Sequence, residues 1–284
     1  MSQCDTCKSK GQCKTKENCE NDKSLPKYGK IKNIIGVISG KGGVGKSTVT
    51  GILATKLAKE GYKVGVLDAD ITGPSMPRFF GINTKRADII PAEAENQVKF
   101  EPVVTSLGIK VISLNLLTEQ EDEPVIWRGP IITGVLNQMY VDTMWGELDY
   151  LIIDMPPGTG DVALTVMQSI PVSGMVVVST PQNMVSMIVK KVIIMAQKLN
   201  IKLLGVVENM AYVECEKCGE KMRIFSKKSG KEHAQYLNVP LLAEMPVDLD
   251  LVEYMDKGKA EEYINSNESY DELLKNMLNE YKGN

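Results

Sequence analysis

The chain has 284 residues, of which 43% are hydrophobic and 24% charged, and its formal net charge is -3. This length and composition predict a packed, soluble protein with one large α/β domain or two small ones. The weak negative charge argues against broad nucleic-acid binding, and no apolar run is long enough to cross a membrane. His233 is the single histidine, so a metal centre here must use thiolates or carboxylates rather than a histidine-rich site.

The first 30 residues are polar, hold four of the six cysteines and contain almost no large aliphatic side chains. They predict a flexible cysteine-rich tail, and the absence of an apolar signal segment predicts a cytoplasmic protein. In a reducing compartment, closely spaced cysteines are more often metal ligands than disulfides. The spacing C-x2-C-x5-C-x5-C of Cys4, Cys7, Cys13 and Cys19 would serve a Cys4 zinc site or an iron-sulfur cluster. It does not distinguish these from four unligated thiols.

A glycine-rich stretch follows the first predicted strand (residues 34–38) and opens a predicted helix (residues 47–60). Gly40, four further residues and then Gly45, Lys46 and Ser47 fit the phosphate-binding pattern G-x-x-x-x-G-K-[ST]. In such a loop the backbone N–H groups surround an anion at the helix N-terminus. The residues expected to contact the nucleotide are Gly40, Gly42, Gly43, Val44, Gly45, Lys46, Ser47 and Thr48. The alternative is an ordinary glycine-rich turn with solvated lysines.

Two lysines in this loop predict different roles. Lys46 is placed to reach the β- and γ-phosphates, and the adjacent Ser47 hydroxyl is placed to bind Mg²⁺. An ordinary phosphate loop does not need a second lysine. Lys41 therefore suggests a variant in which a lysine contacts a phosphate from outside its own loop.

Carboxylates follow two of the predicted strands. Residues 63–67 lead into Asp68 and Asp70, and an apolar strand from residue 150 ends in Asp154. Open parallel sheets bind ligands at the carboxyl ends of their strands, so these side chains predict the nucleotide crevice. We expect Asp154 to support Mg²⁺ and Asp68 to hold it through water. Asp70 is expected to orient or deprotonate the attacking water, or else to cap the following turn.

The rest of the chain alternates between strand and helix patterns, which predicts a doubly wound, mainly parallel sheet within one ATPase domain over residues 31–284. The segment 155–161 combines prolines and glycines, and is either a sensor of the γ-phosphate or a plain turn. Asn209 follows a predicted strand at 203–207 and is a candidate to contact the adenine edge. Arg128 would either meet an anion or stack on Trp127. The further predicted strands are residues 110–114, 175–179 and 240–245, the helices are 130–144, 184–199 and the C-terminal segment, and a small hairpin is expected near 97–100.

Cys215 and Cys218 form a C-x2-C knuckle followed by a glycine. Two thiolates cannot complete a four-ligand site. The missing ligands would come from the N-terminal tail, from exogenous groups, or from the same pair in a second copy across a two-fold axis. A redox dithiol and inert thiols are the alternatives to metal binding.

A set of short motifs together resembles one known family. They are residues 40–48, 68–75, 127–130, 154–161, 180–182 and 208–210, followed by Cys215 and Cys218. The first looks like the deviant phosphate loop of the MinD-like dimerising ATPases. The full set, over residues 31 to about 255, closely resembles the Mrp/ApbC branch of iron-sulfur cluster carrier ATPases.

This resemblance implies a homodimer that binds two ATP molecules with Mg²⁺ and transfers clusters to apo iron-sulfur proteins, without nucleic-acid or membrane partners. It implies that Lys41 reaches the partner's nucleotide and that Cys215 and Cys218 of both subunits bridge a [4Fe-4S] cluster. Cys4, Cys7 and Cys13 fit part of the cysteine pattern of the scaffold subtype, but an earlier cysteine of that pattern is absent and Cys19 lies downstream instead. A positioning or regulatory ATPase with structural zinc is the alternative. A reductase similar to the nitrogenase iron protein would need cluster cysteines near Asp154, where the sequence has none.

Overall fold

The computed structural model describes residues 23–71, 73–92, 97–119, 129–215 and 217–283. The predictions for Cys4, Cys7, Cys13 and Cys19, and the two readings of Arg128, fall outside these residues. All the other predicted site residues lie within them.

A nine-stranded, mainly parallel sheet forms the centre of the described part of the chain. The strands in chain order are β1 (Gly29–Ser39), β2 (Val64–Asp68), β3 (Asp88–Pro91), β4 (Val98–Glu101), β5 (Val103–Val104), β6 (Lys110–Ile112), β7 (Gly146–Asp154), β8 (Gly174–Ser179), β9 (Leu203–Glu214), β10 (Lys221–Met222) and β11 (Leu241–Pro246). The sheet has the order β9-β8-β1-β7-β2-β6-β5, and β10 and β11 both pair with β9. Only β5 and β10 run antiparallel to their neighbours in this sheet, and β3 and β4 form a separate antiparallel hairpin.

Helices cover both faces of the sheet, as the apolar side chains on both faces of its central strands require. The residues of β2 and β8 are buried throughout, and so are the last six of β1, because a parallel sheet with crossover helices has no solvent-facing side. The helices are α1 (Lys46–Lys59), α2 (Met76–Phe79), α3 (Gly129–Val141), α4 (Asp161–Ser169), α5 (Asn183–Lys198), α6 (Gly230–Leu237), α7 (Leu249–Asp256), α8 (Ala260–Ser266) and α9 (Asp271–Lys282). The predicted doubly wound α/β fold is confirmed. Across the described ranges, none of the helices has the length and apolar character needed to cross a membrane.

Most predicted strands and helices lie within a few residues of the observed ones, but β9 is much longer than predicted. The prediction ends it at residue 207, and the strand continues to Glu214. Polar residues beyond 207 suggested a loop, yet Tyr212 and Ala211 are buried and the extension pairs with both β10 and β11. This extension carries the chain from the nucleotide-binding edge to the two cysteines.

Candidate functional site: a phosphate loop and a cysteine hairpin joined by one strand

The phosphate loop connects β1 to α1 and is enclosed by neighbouring elements. Gly45, which precedes α1, has φ = 82°, and a Cβ atom placed there would lie 2.1 Å from Nδ2 of Asn209. Gly40 is less tightly confined, since a Cβ atom there would lie 3.0 Å from the backbone nitrogen of Val189 in α5. Glycine is required at Gly45 by both the left-handed backbone and the close approach of β9.

Lys46 lies at the centre of the predicted catalytic group and is only 6% exposed. Its ammonium is 2.8 Å from Oδ1 of Asp154 and 3.3 Å from Oδ2 of Asp70. The structure therefore brings together three side chains that are distant in sequence. The Lys46 ammonium is therefore paired with carboxylates of its own chain, beside the N-terminus of α1 where a phosphate loop binds its anion.

Asp154 is fully buried at the end of β7 and accepts three hydrogen bonds from α1. Besides Lys46, the hydroxyls of Ser47 and Thr50 donate to it at 2.6 and 2.9 Å. Burial raises the pKa of Asp154, and the charge of Lys46 together with these hydrogen bonds opposes that rise. Thr50 was missed in the sequence analysis, although its position one turn after Lys46 is the signal that would have found it.

Asp68 is buried beside Asp154, at the end of β2. It accepts hydrogen bonds from the Ser113 hydroxyl at 3.0 Å and from the Met76 backbone N–H at 3.3 Å. Burial, and then the charge of Asp154, raise the pKa of Asp68 to about 7. Ser113 was also missed, because only the pairing of β6 with β2 brings it to this edge.

The oxygen atoms of Ser47, Asp68 and Asp154 are the hard ligands that Mg²⁺ prefers. All three side chains lie at the carboxyl edge of the sheet, and two of them are already joined by the Ser47 to Asp154 hydrogen bond. The donor set therefore fits the predicted magnesium site. Bound there, Mg²⁺ would neutralise charge on the polyphosphate.

Lys41 differs from Lys46 in both exposure and partners. It is solvent-exposed, and its ammonium donates to Oε1 of Gln182 at 3.1 Å, just before α5. The backbone carbonyl of Lys41 accepts a hydrogen bond from the Ser39 hydroxyl, so the loop is ordered around the residue while its side chain faces outward. This placement suits a lysine that acts outside its own loop, and that role remains a prediction.

The segment after Asp154 is the connection between β7 and α4, and it is bonded to the strand that carries the phosphate loop. Backbone N–H groups of Met155 and Gly158 donate to the carbonyls of Val37 and Ser39 at 3.0 and 2.7 Å. A displacement of the phosphate loop would therefore also move this segment. Its role as a γ-phosphate sensor stays a prediction.

Asn209 contacts the phosphate loop from β9. Its amide donates to the Val44 carbonyl at 3.0 Å, and the residue is 6% exposed. Contact with the adenine edge remains a prediction. The observed bond shows that β9 supports the loop directly.

The two cysteines lie in the tight turn between β9 and β10. Glu214 and Val213 pair with Lys221 and Met222, and the ladder continues through the Cys215 backbone N–H, which donates to the Glu220 carbonyl at 3.0 Å. Cys215 is half-buried and Cys218 is exposed. Among the described residues, no group of three or more His, Cys, Asp or Glu side chains is placed to hold a metal ion. The hairpin therefore presents two thiols rather than a closed site.

A single strand connects the two sites. Asn209, which contacts the phosphate loop, and Cys215 are six residues apart along β9 and its end, a span of roughly 20 Å in extended chain. Between them Met210 has φ = 54°. From Glu208 to Tyr212, β9 advances four residues while β11 advances two, from Glu244 to Pro246, so this part of β9 is a bulge with two surplus residues.

A mainly parallel sheet, a glycine-rich loop opening α1 and a buried Lys46 beside Asp154 define a P-loop NTPase with the MinD-like arrangement. Residues 30–281 match a family model of the ParA group, described as NUBPL iron-transfer P-loop NTPase. The chain belongs to this family.

Named relatives and solved structures agree with this family assignment. The chain is 64% identical over 286 residues to an iron-sulfur cluster carrier protein from Clostridium perfringens, covering 98% of this chain and 100% of that one. A nucleotide-binding protein from Archaeoglobus fulgidus, solved with ADP, is 43% identical with a TM-score of 0.73, covering 86% of this chain and 92% of its own. The cell division ATPase MinD from Pyrococcus furiosus, 21% identical over 87% of this chain and 97% of its own, has a TM-score of 0.56 and shares the fold.

Proposed function

We propose that this protein is an ATP-hydrolysing carrier that binds an iron-sulfur cluster and transfers it to apo-proteins. The observation that carries the proposal is the placement of both sites on β9. Asn209 of that strand bonds to the phosphate loop, and Cys215 directly follows the strand's last residue. The name of the Clostridium perfringens relative and the ADP bound to the Archaeoglobus fulgidus protein support the two halves of the proposal.

The cargo would be a [4Fe-4S] cluster shared by two copies of the chain. Such a cluster takes four thiolates, and the hairpin supplies two. A two-fold homodimer brings the same pair from each subunit to one point, so it completes the ligand set without other residues. Thiolate ligation requires a reducing compartment, in keeping with a cytoplasmic location.

The residues of the phosphate loop have separate tasks in ATP hydrolysis. Lys46 and the loop N–H groups would bind the phosphates, and Ser47, Asp68 and Asp154 would hold Mg²⁺. Asp70, whose carboxylate is 3.3 Å from the Lys46 ammonium, would orient the attacking water. Lys41 would contact the nucleotide of the partner subunit. Nucleotide would control the cargo if it binds the cluster-holding and cluster-releasing dimers with unequal affinity.

Anaerobic reconstitution tests the cysteine half of the proposal. The background is the full chain with Cys4, Cys7, Cys13 and Cys19 all replaced by alanine, so that the tail contributes no iron. We expect this protein to bind iron and sulfide with the absorbance of a [4Fe-4S] cluster. Adding Cys215→Ala and Cys218→Ala should remove nearly all of both.

A matched control separates cluster binding from nucleotide chemistry. Lys46→Ala in the same background should load its cluster normally and lack ATPase activity. Equal cluster content with and without the hairpin cysteines would refute the assignment. Stoichiometric zinc in aerobically purified protein, with no cluster after reconstitution, would favour a positioning or regulatory ATPase with a structural zinc site.

A further inference from the structure

The residues that follow the cysteine hairpin form a loop closed at its base by one carboxylate. Glu244 in β11 pairs with the Arg223 guanidinium through both carboxylate oxygens: Nη2 donates a hydrogen bond to Oε2 at 3.0 Å, and Nη1 lies 2.9 Å from Oε1 in an ion pair. The same carboxylate accepts the backbone N–H of Gly230 at the start of α6. Residues 223 and 230 are therefore held beside each other, and we name the segment between and including them the 223–230 loop.

The closure is specific in geometry and charge. A Cβ atom at Gly230 would lie 2.7 Å from Cγ of Glu244, so a larger residue there would displace the carboxylate. Burial alone would raise the pKa of Glu244, but the hydrogen bonds from Arg223 and Gly230 outweigh it and lower the pKa. Glu244 is thus ionised at neutral pH and paired with Arg223. A bidentate pair of this kind fixes orientation as well as distance.

The fixed loop exposes apolar side chains. Ile224 is 57% and Phe225 43% exposed, and Met222, at the end of β10, is 47% exposed. These three residues lie within four positions of one another, immediately after the cysteine hairpin. A cluster of exposed apolar residues on an anchored loop is typical of an interaction surface.

Basic residues are concentrated around these side chains. Residues 217–231 contain six basic residues and one acidic residue, Glu220, while Glu214 and Glu216 precede this stretch and Glu232 follows it. Arg223 is engaged by Glu244, and the remaining basic residues are exposed. They are Lys217, Lys221, Lys227, Lys228 and Lys231. The apolar cluster is therefore bordered by cations, on a protein that is otherwise acidic.

We propose that the 223–230 loop and its flanking lysines are the docking surface for acidic acceptor proteins. The inference deepens the proposed function, because a partner seated here lies next to Cys215 and Cys218. The homodimer of the proposed function meets at the hairpin cysteines, and a second copy fits the loop itself poorly, since an isologous contact would place Lys227 and Lys228 against their own copies. An anionic membrane would be attracted by the same cations, and the vesicle measurement below separates it from a protein partner.

The test compares two loop variants with a control of equal charge change. Lys227→Glu/Lys228→Glu reverses the charge, and Ile224→Ser/Phe225→Ser removes the apolar contact. Lys275→Glu/Lys282→Glu makes the same charge change on the exposed face of α9. The probe is an apo-ferredoxin with a strongly acidic surface, and its affinity for cluster-free protein is measured at low and high salt. Transfer rates are then measured from protein of known iron and sulfide content.

At low salt we expect the charge-reversal variant to bind the apo-ferredoxin about tenfold more weakly than wild type and to transfer its cluster about tenfold more slowly. Both differences should shrink at high salt. The serine variant should lose a similar factor at both salt concentrations, because its contact is not electrostatic. The α9 control should stay within about twofold of wild type, and all variants should keep their ATPase activity and melting temperature.

Several results would overturn the docking surface. One is an equal loss in the α9 control, which would mean that net charge alone matters. Others are changed dimerisation of the loop variants in sedimentation, or wild-type binding to vesicles of phosphatidylserine and phosphatidylcholine that exceeds binding to the apo-ferredoxin. Failure of the wild type to load any cluster would count against the proposed function only, since the binding measurements use cluster-free protein.

Discussion

The phosphate loop and the cysteine hairpin lie along the same strand and are built in opposite ways. Lys46 and Asp154 are at most 6% exposed, and Asp154 accepts hydrogen bonds from Lys46, Ser47 and Thr50. In the hairpin, Cys218 is exposed and only two thiols are offered. The difference teaches that the side chains of the nucleotide site contact one another within a single chain, whereas the two thiols of the hairpin are only half of a four-thiolate ligand set.

Strand β9 connects the phosphate loop to the cysteine hairpin, so the two regions are linked although they are built differently. The phosphate loop is fixed in position by burial and hydrogen bonds, and the bond from Asn209 to the Val44 carbonyl fixes that part of β9 against the loop. The exposed end of β9 can then be presented to a second subunit or an acceptor. Substitutions in the loop should therefore change hydrolysis and stability, while substitutions in the hairpin should change cargo.

The largest effect is expected from the two loop lysines. Lys46→Ala should reduce ATP hydrolysis at least about 100-fold, because it removes the buried cation that we propose contacts the phosphates. Lys41→Ala should leave nucleotide affinity nearly unchanged and remove turnover, because its side chain is exposed and faces away from Asp154. Binding of a fluorescent ATP analogue and release of phosphate measure the two properties separately. Normal turnover by Lys41→Ala would refute its action across the dimer.

The next largest effect tests the contact between the loop and β9. Gly45 and Gly43 both have left-handed backbones, with φ of 82° and 77°, but only a Cβ atom at Gly45 would meet Asn209. We expect Gly45→Ala to destabilise the protein by about 3 kcal/mol and Gly43→Ala by about 1 kcal/mol in urea unfolding.

A double substitution identifies the cause of that difference. In an Asn209→Ala background the penalty of Gly45→Ala should fall toward that of Gly43→Ala, since the clashing amide is gone. Equal penalties for the two glycines in the wild-type background would show that Asn209 does not hold the loop.

A smaller effect concerns the pH dependence of stability without nucleotide or Mg²⁺. The pKa of Asp68 is about 7 in the folded protein, above the ordinary carboxyl value of 3.8, so its protonated form is the one that favours folding. Its contribution is complete below pH 4 and is lost as the pH rises through 7. Relative to wild type, Asp68→Asn should gain stability from pH 5 to pH 8, by at most about 1.4 kcal/mol per pH unit.

A carboxylate of the hairpin supplies the control for this measurement. Glu220 is exposed, and Glu220→Gln should track wild type across the same pH range in chelator-containing buffer. A flat difference between Asp68→Asn and wild type would mean that Asp68 stays ionised when buried.

The sequence was sufficient to predict those parts of the site that are formed by residues close together in the chain. The pattern of Gly40, Gly45, Lys46 and Ser47 identified the loop, and an apolar strand ending in a carboxylate identified Asp154. These signals are local because a phosphate loop is a strand, a turn and a helix in succession. The doubly wound fold followed from the same alternation.

The remaining features depend on contacts between distant residues. Ser113 reaches Asp68 only through the pairing of β2 with β6, and Glu244 closes the 223–230 loop from β11. The sequence did not predict the extension of β9, because its residues are held in the sheet by pairing with β10 and β11, which lie elsewhere in the chain. The helix α6 was missed even though Ser229 and Glu232 form a capping box, a signal present in the sequence.

The bulge at Met210 determines how insertions and deletions in β9 would reorient the cysteines. Side chains along a strand alternate between faces with a period of two, and the bulge holds two residues more than the pairing with β11 requires. Loss of both surplus residues would remove the bulge and leave Cys215 at nearly the same position along β11 and on the same face of the sheet. Loss of one would turn the cysteines to the opposite face. Changes of even length in this strand should therefore preserve the carrier, and changes of odd length should abolish it.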